Sequence, residues 1–306
     1  MAQLNGRPFA PIDVATLAYV GVTTVAACVF MRWDAVTLSL LLGAHALVVC
    51  LVLLAPRART AGPVGRFVGD WYPFIIMGAL YAEVGVLNLT FGYDHDRVIQ
   101  RLDQWVFGGQ VSYEWIRAMP DPVLSGVLHF CYLVYYGILV AAPLALWLSG
   151  RRDGARVTIF AVSTTFYLCY AVFLFFPVAG PRYAFPLAHN EATRIAVARF
   201  AQWLLDRGDS WGAAFPSSHV AAAVVATACA LRFWRPLGLV LAPLTIGLIF
   251  AVVYGQFHYG VDALSGLLVA GGILYSIRAR TPQLAPQPVT LRATPTPEPG
   301  STRIRL

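Results

Sequence analysis

An all-α fold, a polytopic membrane bundle of about eight helical spans, is predicted by three observations. Only 12% of the 306 residues are charged while 58% are hydrophobic, and the mean hydropathy is +0.65. A soluble domain carries about 25% charged residues, so too little polar surface is present to cover a water-facing globule. The apolar residues gather in runs of about 20, the length a helix needs to cross the hydrocarbon core. All 22 cations are Arg, and most sit at the ends of those runs, as topology-setting charges do.

The first three runs, near 12–31, 35–55 and 71–91, make an N-terminal membrane part over residues 1–93. Residues 94–122 differ in kind, since Asp96, Arg97, Arg101, Asp103 and Glu114 mix with Val98, Leu102, Trp105, Val106 and Phe107. That mixture predicts an interfacial amphipathic helix and turn. Asp94, Asp96 and Asp103 share the segment with three Arg and read as a solvated, salt-bridged face, a divalent-cation site being the alternative. Five further runs, near 124–148, 157–176, 216–234, 237–255 and 259–277, fill residues 123–280, and the stretch between the fifth and sixth spans reads as a loop. Residues 281–306 are rich in Pro and Thr with almost nothing to bury, which predicts a disordered cytoplasmic tail. The five cysteines lie in apolar runs without CxxC spacing and read as packing residues. Val25-Ala26-Ala27-Cys28 resembles a lipoprotein cleavage box, but the run leads into seven more spans and reads as an uncleaved anchor.

Counted on alternate sides of the eight spans, Arg falls fourteen to eight. The richer side holds both termini, and the positive-inside rule places it in the cytoplasm. The protein is therefore expected in the plasma membrane, with the loops after the fifth and seventh spans facing outward. Topology also accounts for the net charge of +7, so no nucleic-acid partner is implied.

Two stretches stand out from the apolar background: Ala214-Phe215-Pro216-Ser217-Ser218-His219, which opens the sixth span, and His258-Tyr259-Gly260-Val261-Asp262, which opens the eighth. The histidines are 39 residues apart, about one crossing and one return, so both arrive at the same outward face. Pro216 suits the first turn of a helix, which would leave the N–H groups of Ser217, Ser218 and His219 free as an anion site. His258 and Asp262, four apart, would share a helix face, letting the Asp hold one ring N–H and free the other nitrogen as a nucleophile. Lacking Lys, the chain must clamp any phosphate with Arg, and Arg182 of Gly180-Pro181-Arg182-Tyr183 is the best placed, ahead of Arg97, Arg101, Arg194, Arg199 and Arg207.

The FPSSH and HYGVD stretches resemble the second and third signature motifs of the type 2 phosphatidic acid phosphatase superfamily. The pattern PSxH followed by HYxxD, behind long spans, is closest to the branch of inositol phosphorylceramide synthase and sphingomyelin synthase. The resemblance runs from about Leu124 to Ile277. It implies a six-span phosphatase-like catalytic core and metal-independent chemistry without a cofactor. Catalytic roles would fall to His258 as nucleophile, Asp262 as its orienting group and His219 as acid and base, with Ser217 and Ser218 holding phosphate oxygens. Donor and acceptor would be membrane lipids, with a phospholipid or polyprenyl phosphate ester giving its phospho-group to a lipid hydroxyl or to water. The first family motif, KxxxxxxRP, is missing, and Gly255-Gln256-Phe257 precedes His258 where the phosphatases place an Arg. Both departures favour the transferase branch. A transporter or scaffold of the same fold without catalysis is the alternative reading.

Three further residues are candidates for the substrate pocket: Tyr183, beside Arg182; Tyr136, in the fourth span; and Glu83, an intramembrane carboxylate of the third. The competing reading of Glu83 is an interior hydrogen-bonded acid. His45 and His129 read as packing residues.

Overall fold

The computed structural model describes residues 9–30 and 34–280. The expected tail at 281–306, and Arg7 and Arg32 from the topology count, lie outside them. Thirteen helices are formed among the described residues: α1 Pro11–Phe30, α2 Ala35–Thr60, α3 Gly62–Phe91, α4 Asp96–Phe107, α5 Val111–Ala118, α6 Pro122–Leu148, α7 Arg152–Phe175, α8 Pro181–Ala184, α9 Glu191–Arg194, α10 Ala196–Gly208, α11 Ser218–Phe233, α12 Arg235–Tyr254 and α13 Gly260–Arg280. This is the expected all-α bundle, with no strand beyond one isolated bridge among the described residues.

Seven of these helices are long and apolar enough to cross a membrane: α1, α2, α3, α6, α7, α12 and α13. The eighth expected span, α11, has 16 residues and so rises about 24 Å. It can be short because it does not face lipid. It packs on α6, α7, α12 and α13, and Ala221, Ala222, Ala223, Ala226 and Ala230 are fully buried. Small side chains let neighbouring backbones approach closely, which is how helices associate where lipid is as apolar as leucine.

The closest approach fixes the site. A Cβ on Gly266 of α13 would lie 2.6 Å from Ser217 O and 3.1 Å from Val220 Cβ, so only glycine lets α13 cross the first turn of α11. Gly266→Ala should therefore push the two helices apart. The expected result is a loss of about 1–3 kcal/mol of stability and a fall in activity of at least tenfold, as a misplacement of about 1 Å can produce. Thermal unfolding and turnover of the purified variant in detergent check both.

At the opposite end of the bundle, the buried Asp13 and Asp70 join Arg59 and the partly exposed Arg156 in one network. Arg59 donates to both oxygens of Asp13 at 2.6 and 2.7 Å, Asp70 accepts from Arg59 Nε and Arg156 Nε at 3.1 and 2.8 Å, and Tyr72 donates to Asp13 at 2.9 Å. The network ties α1–α3 to α7, which α1 and α3 also meet through packing.

The stretch expected as a loop between α7 and α11 holds three helices. Among them, α10 buries Ala198, Ala201 and Leu205 and exposes Arg199, Phe200, Trp203 and Arg207. A 13-residue amphipathic helix is too short and too polar to register as a span, so the hydropathy reading passed over it. Within the stretch 94–122 the chain forms α4 and α5, and Asp96 and Asp103 do not form a solvated face. They are buried with Ile99 in a single stripe, and Val98, Leu102, Trp105 and Val106 are exposed.

Candidate active site

The site is assembled at the end of the bundle where α11 and α13 begin. The chain leaving α7 pairs with the chain entering α11: Val178 N–H donates to Gly212 O at 3.1 Å, and Ala214 N–H donates to Val178 O at 2.9 Å. Ser217 then caps α11, its Oγ accepting from Val220 N–H at 3.4 Å. Pro216 consequently stands before the cap and not in the first helical turn. Nor is Ser217 N–H free, because it donates to Asp262 O at 3.0 Å and so ties the start of α11 to α13. The N–H groups of Ser218 and His219 have no acceptor among the described residues, so the expected anion site shrinks to two donors.

His258 sits in the turn between α12 and α13. Gln256 turns the chain there in the left-handed region, with φ of 59°, and its buried amide holds the turn by accepting from Ala188 N–H at 3.0 Å. His258 Nδ1–H donates to Ala214 O at 2.9 Å. A carbonyl can only accept, so Nδ1 carries a proton, and in the neutral ring Nε2 is the nitrogen with the lone pair. Nε2 faces His219 Nδ1 at 3.2 Å.

The partner expected for that ring N–H was Asp262, which stands 3.5 Å from Nδ1. Its Oδ2 instead accepts from Tyr259 N–H at 2.8 Å, and its Oδ1 is buried without a partner. The reason is local: α13 begins at Gly260, so His258 and Asp262 do not share a helix face. The ring is oriented first by a backbone carbonyl, with the carboxylate behind it as a near charge.

Two acids from α4 hold the site's backbone. Asp96 accepts from Ala179 N–H at 2.6 Å, Gly180 N–H at 2.9 Å and Tyr259 O–H at 2.7 Å. Asp103 accepts from Val261 N–H at 2.8 Å and Gly260 N–H at 3.4 Å, at the N-terminal end of α13. Burial raises the Asp103 carboxyl above its usual range, against the lowering effect of those two bonds. Burial, and then the charge of Asp96, raise the Tyr259 hydroxyl. Gly180, held by Asp96, has φ of 101°, and a Cβ there would meet Ala214 Cβ at 3.1 Å.

The Gly180 turn delivers Arg182 to the histidines. Arg182, Asp209, His219, His258, Tyr81 and Tyr132 line one partly open cavity of about 10 Å³, room for one water. The Arg182 side chain is only 9% exposed; its Nη2 donates to Asp206 at 2.6 Å. Nη1 lies 3.6 Å from Asp209 Oδ2, near enough for an ion pair but too far for a hydrogen bond, and is buried with no hydrogen-bond partner among the described residues. Asp209 accepts from Tyr81 O–H at 3.0 Å. Burial raises its carboxyl above the ordinary range, opposed first by Arg182.

The other candidates are not brought to this cavity. Tyr183 is half-exposed beside it, donating to Asp209 at 3.3 Å. Tyr136 points outward, whereas Tyr135 and Tyr132 pack on His219 with centroids 4.5 and 5.5 Å away. Glu83 accepts from His45 across a 2.9 Å contact between α3 and α2, and His45 Nδ1 meets Thr24 Oγ1 at 2.7 Å. It is an interior polar pair within the N-terminal helices, and its partner is His45. No cluster of three or more His, Cys, Asp or Glu suited to a metal occurs among the described residues.

The PAP2 superfamily model matches residues 97–276, more than half the chain. The chain belongs to the PAP2 superfamily. The match begins within α4, so Asp103 and both histidines fall inside the PAP2 region, and Asp96 stands one residue before its start. No curated protein and no solved structure gives a significant match. With seven helices long and apolar enough to span a bilayer, PAP2 membership points to an integral membrane enzyme of the phosphatase or phosphotransferase class.

Proposed function

We propose that the protein moves the phospho-group of a membrane phospholipid or polyprenyl phosphate ester to a lipid hydroxyl or to water, through a phosphohistidine on His258. The observation that carries this reading is His258 Nε2 facing His219 Nδ1 at 3.2 Å beside a cavity that Arg182 also lines. His258 Nε2 attacks phosphorus, the bond to the leaving oxygen breaks, and His219 protonates that oxygen. In the second step His219 takes the proton of the incoming hydroxyl, whose oxygen attacks phosphorus and breaks the P–N bond. Arg182 Nη1 and the N–H groups of Ser218 and His219 are unpaired donors for the oxygens on which charge accumulates. Ser217, as the cap, places the latter two.

The exposed apolar face of α4, with Trp105 83% exposed, suits a site that lipids reach from the bilayer. The Arg count supports an outer-leaflet site in the plasma membrane and cytoplasmic termini. Missing phosphatase cations favour the transferase branch, that of inositol phosphorylceramide and sphingomyelin synthases. The test is to offer purified protein phosphatidic acid, polyprenyl pyrophosphate, and phosphatidylinositol with diacylglycerol or ceramide, each labelled in the phosphate. Label should be trapped on protein in a linkage stable to alkali and lost in acid, and EDTA should not affect turnover. If no donor labels the protein or is turned over, the reading fails.

A further inference from the structure

Asp209 is a carboxylate where a phosphate is to bind, and neither the histidine pair nor the motifs account for it. It lines the same cavity as Arg182, His219 and His258. Two tyrosines, Tyr81 and Tyr183, donate to it at 3.0 and 3.3 Å. Its oxygen stands 3.6 Å from Arg182 Nη1, the donor left without a hydrogen bond. Arg182 does not need Asp209 to stay in place, because Asp206 already binds the other end of the guanidinium at 2.6 Å.

Arg182 Nη1 and Asp209 Oδ2 stand 3.6 Å apart on the wall of the same cavity, so a phosphate oxygen bound to Nη1 lies close to the Asp209 carboxylate. Each negative charge it brings is repelled there, and in a site largely closed to water that repulsion is poorly screened. Among the described residues Arg182 is the one arginine lining the cavity, and it faces two carboxylates, so it offsets a single charge better than two.

We infer that Asp209 is a charge filter, making this site select phosphate esters of one negative charge, diesters, over dianionic monoesters. The inference rests on the phosphoryl-transfer reading above and specifies its donor. The tyrosine hydroxyls hold the carboxylate on its wall, and any hydroxyl or ammonium group carried by the donor's second ester arm would find it an acceptor.

The test compares a short-chain dialkyl phosphate with the monoalkyl phosphate of the same alcohol at pH 7.5, where the monoester is mostly dianionic because its second pKa lies near about 6. Wild type should favour the diester in kcat/KM. Asp209→Asn should move that ratio toward the monoester by about tenfold or more, and inorganic phosphate should inhibit it about tenfold more tightly. Asp209→Glu, which restores the charge, should keep the wild-type preference. Asp209→Ser serves as a second uncharged variant should the Asn form not fold.

An unchanged ratio in a folded uncharged variant, an equal loss on both esters, or a wild-type preference for the monoester would each overturn the filter while leaving phosphoryl transfer standing. Absence of turnover of either ester, with His258→Ala indistinguishable from wild type, would instead defeat the underlying reading. Binding of inorganic phosphate, followed by thermal stabilisation, still tests the filter in that case: equal binding by wild type and Asp209→Asn rejects it.

Discussion

Replacing His258 by Ala should lower turnover of every donor by at least about a thousandfold and leave no label on the protein, because in the proposed mechanism it removes the nucleophile. Replacing His219 by Ala should look different. A general acid contributes roughly 10²–10⁴-fold, and its loss matters only when the leaving oxygen needs a proton. With an alkyl ester, both variants should be severely impaired. With a nitrophenyl ester, whose leaving group departs as a stable anion, His219→Ala should recover much of the first step and accumulate labelled protein, whereas His258→Ala should recover nothing. The contrast follows from the geometry: Ala214 O engages Nδ1 of His258, and Nε2, the nitrogen left for attack, stands 3.2 Å from His219. Recovery of both variants with the better leaving group would remove His258 from the nucleophile's role.

The second large effect is expected on stability. Asp96→Ala removes the acceptor of three bonds and leaves the N–H groups of Ala179 and Gly180 and the O–H of Tyr259 unpaired. An unsatisfied buried donor costs about 1–3 kcal/mol, so the variant should lose roughly 3 kcal/mol or more. Because the same bonds set the Gly180 turn that carries Arg182, the folded fraction should also bind phosphate more weakly. Asp96→Asn should fall between wild type and Ala, since its amide keeps one acceptor oxygen. An unfolding midpoint for Asp96→Ala equal to that of wild type would show that α4 does not brace the site.

Asp96 and Asp103 also show where the sequence stops being legible. Seven apart on one helix, they share a face with Ile99, and in water such a stripe would be solvated. In α4 the reverse holds. The apolar residues face outward, and the acids turn inward to meet backbone donors that have no other partner. The spacing is the same in both cases, so pattern cannot distinguish them. Asp209 is hidden for another reason: it belongs to a segment between spans, and only folding brings it to the His219–His258 pair. Tyr135 and Tyr136 are neighbours in sequence, and helix phase alone decided which of them meets His219.

The sequence by itself determined the class of the protein, most of its spans and the pairing of two histidine-bearing stretches. Those depend on bulk hydropathy, on the length of a crossing and on short motifs, all of which are local or additive along the chain. Tertiary structure alone decided which atom orients His258, which N–H groups are free to bind an anion, and what shares Arg182. Each of these is a competition among donors and acceptors far apart in sequence: Ala214 O against Asp262 for one ring N–H, Asp262 O for Ser217 N–H, and Asp206 with Asp209 for one guanidinium. Such competitions are settled by distances of a few tenths of an ångström, which exist only once the helices have packed.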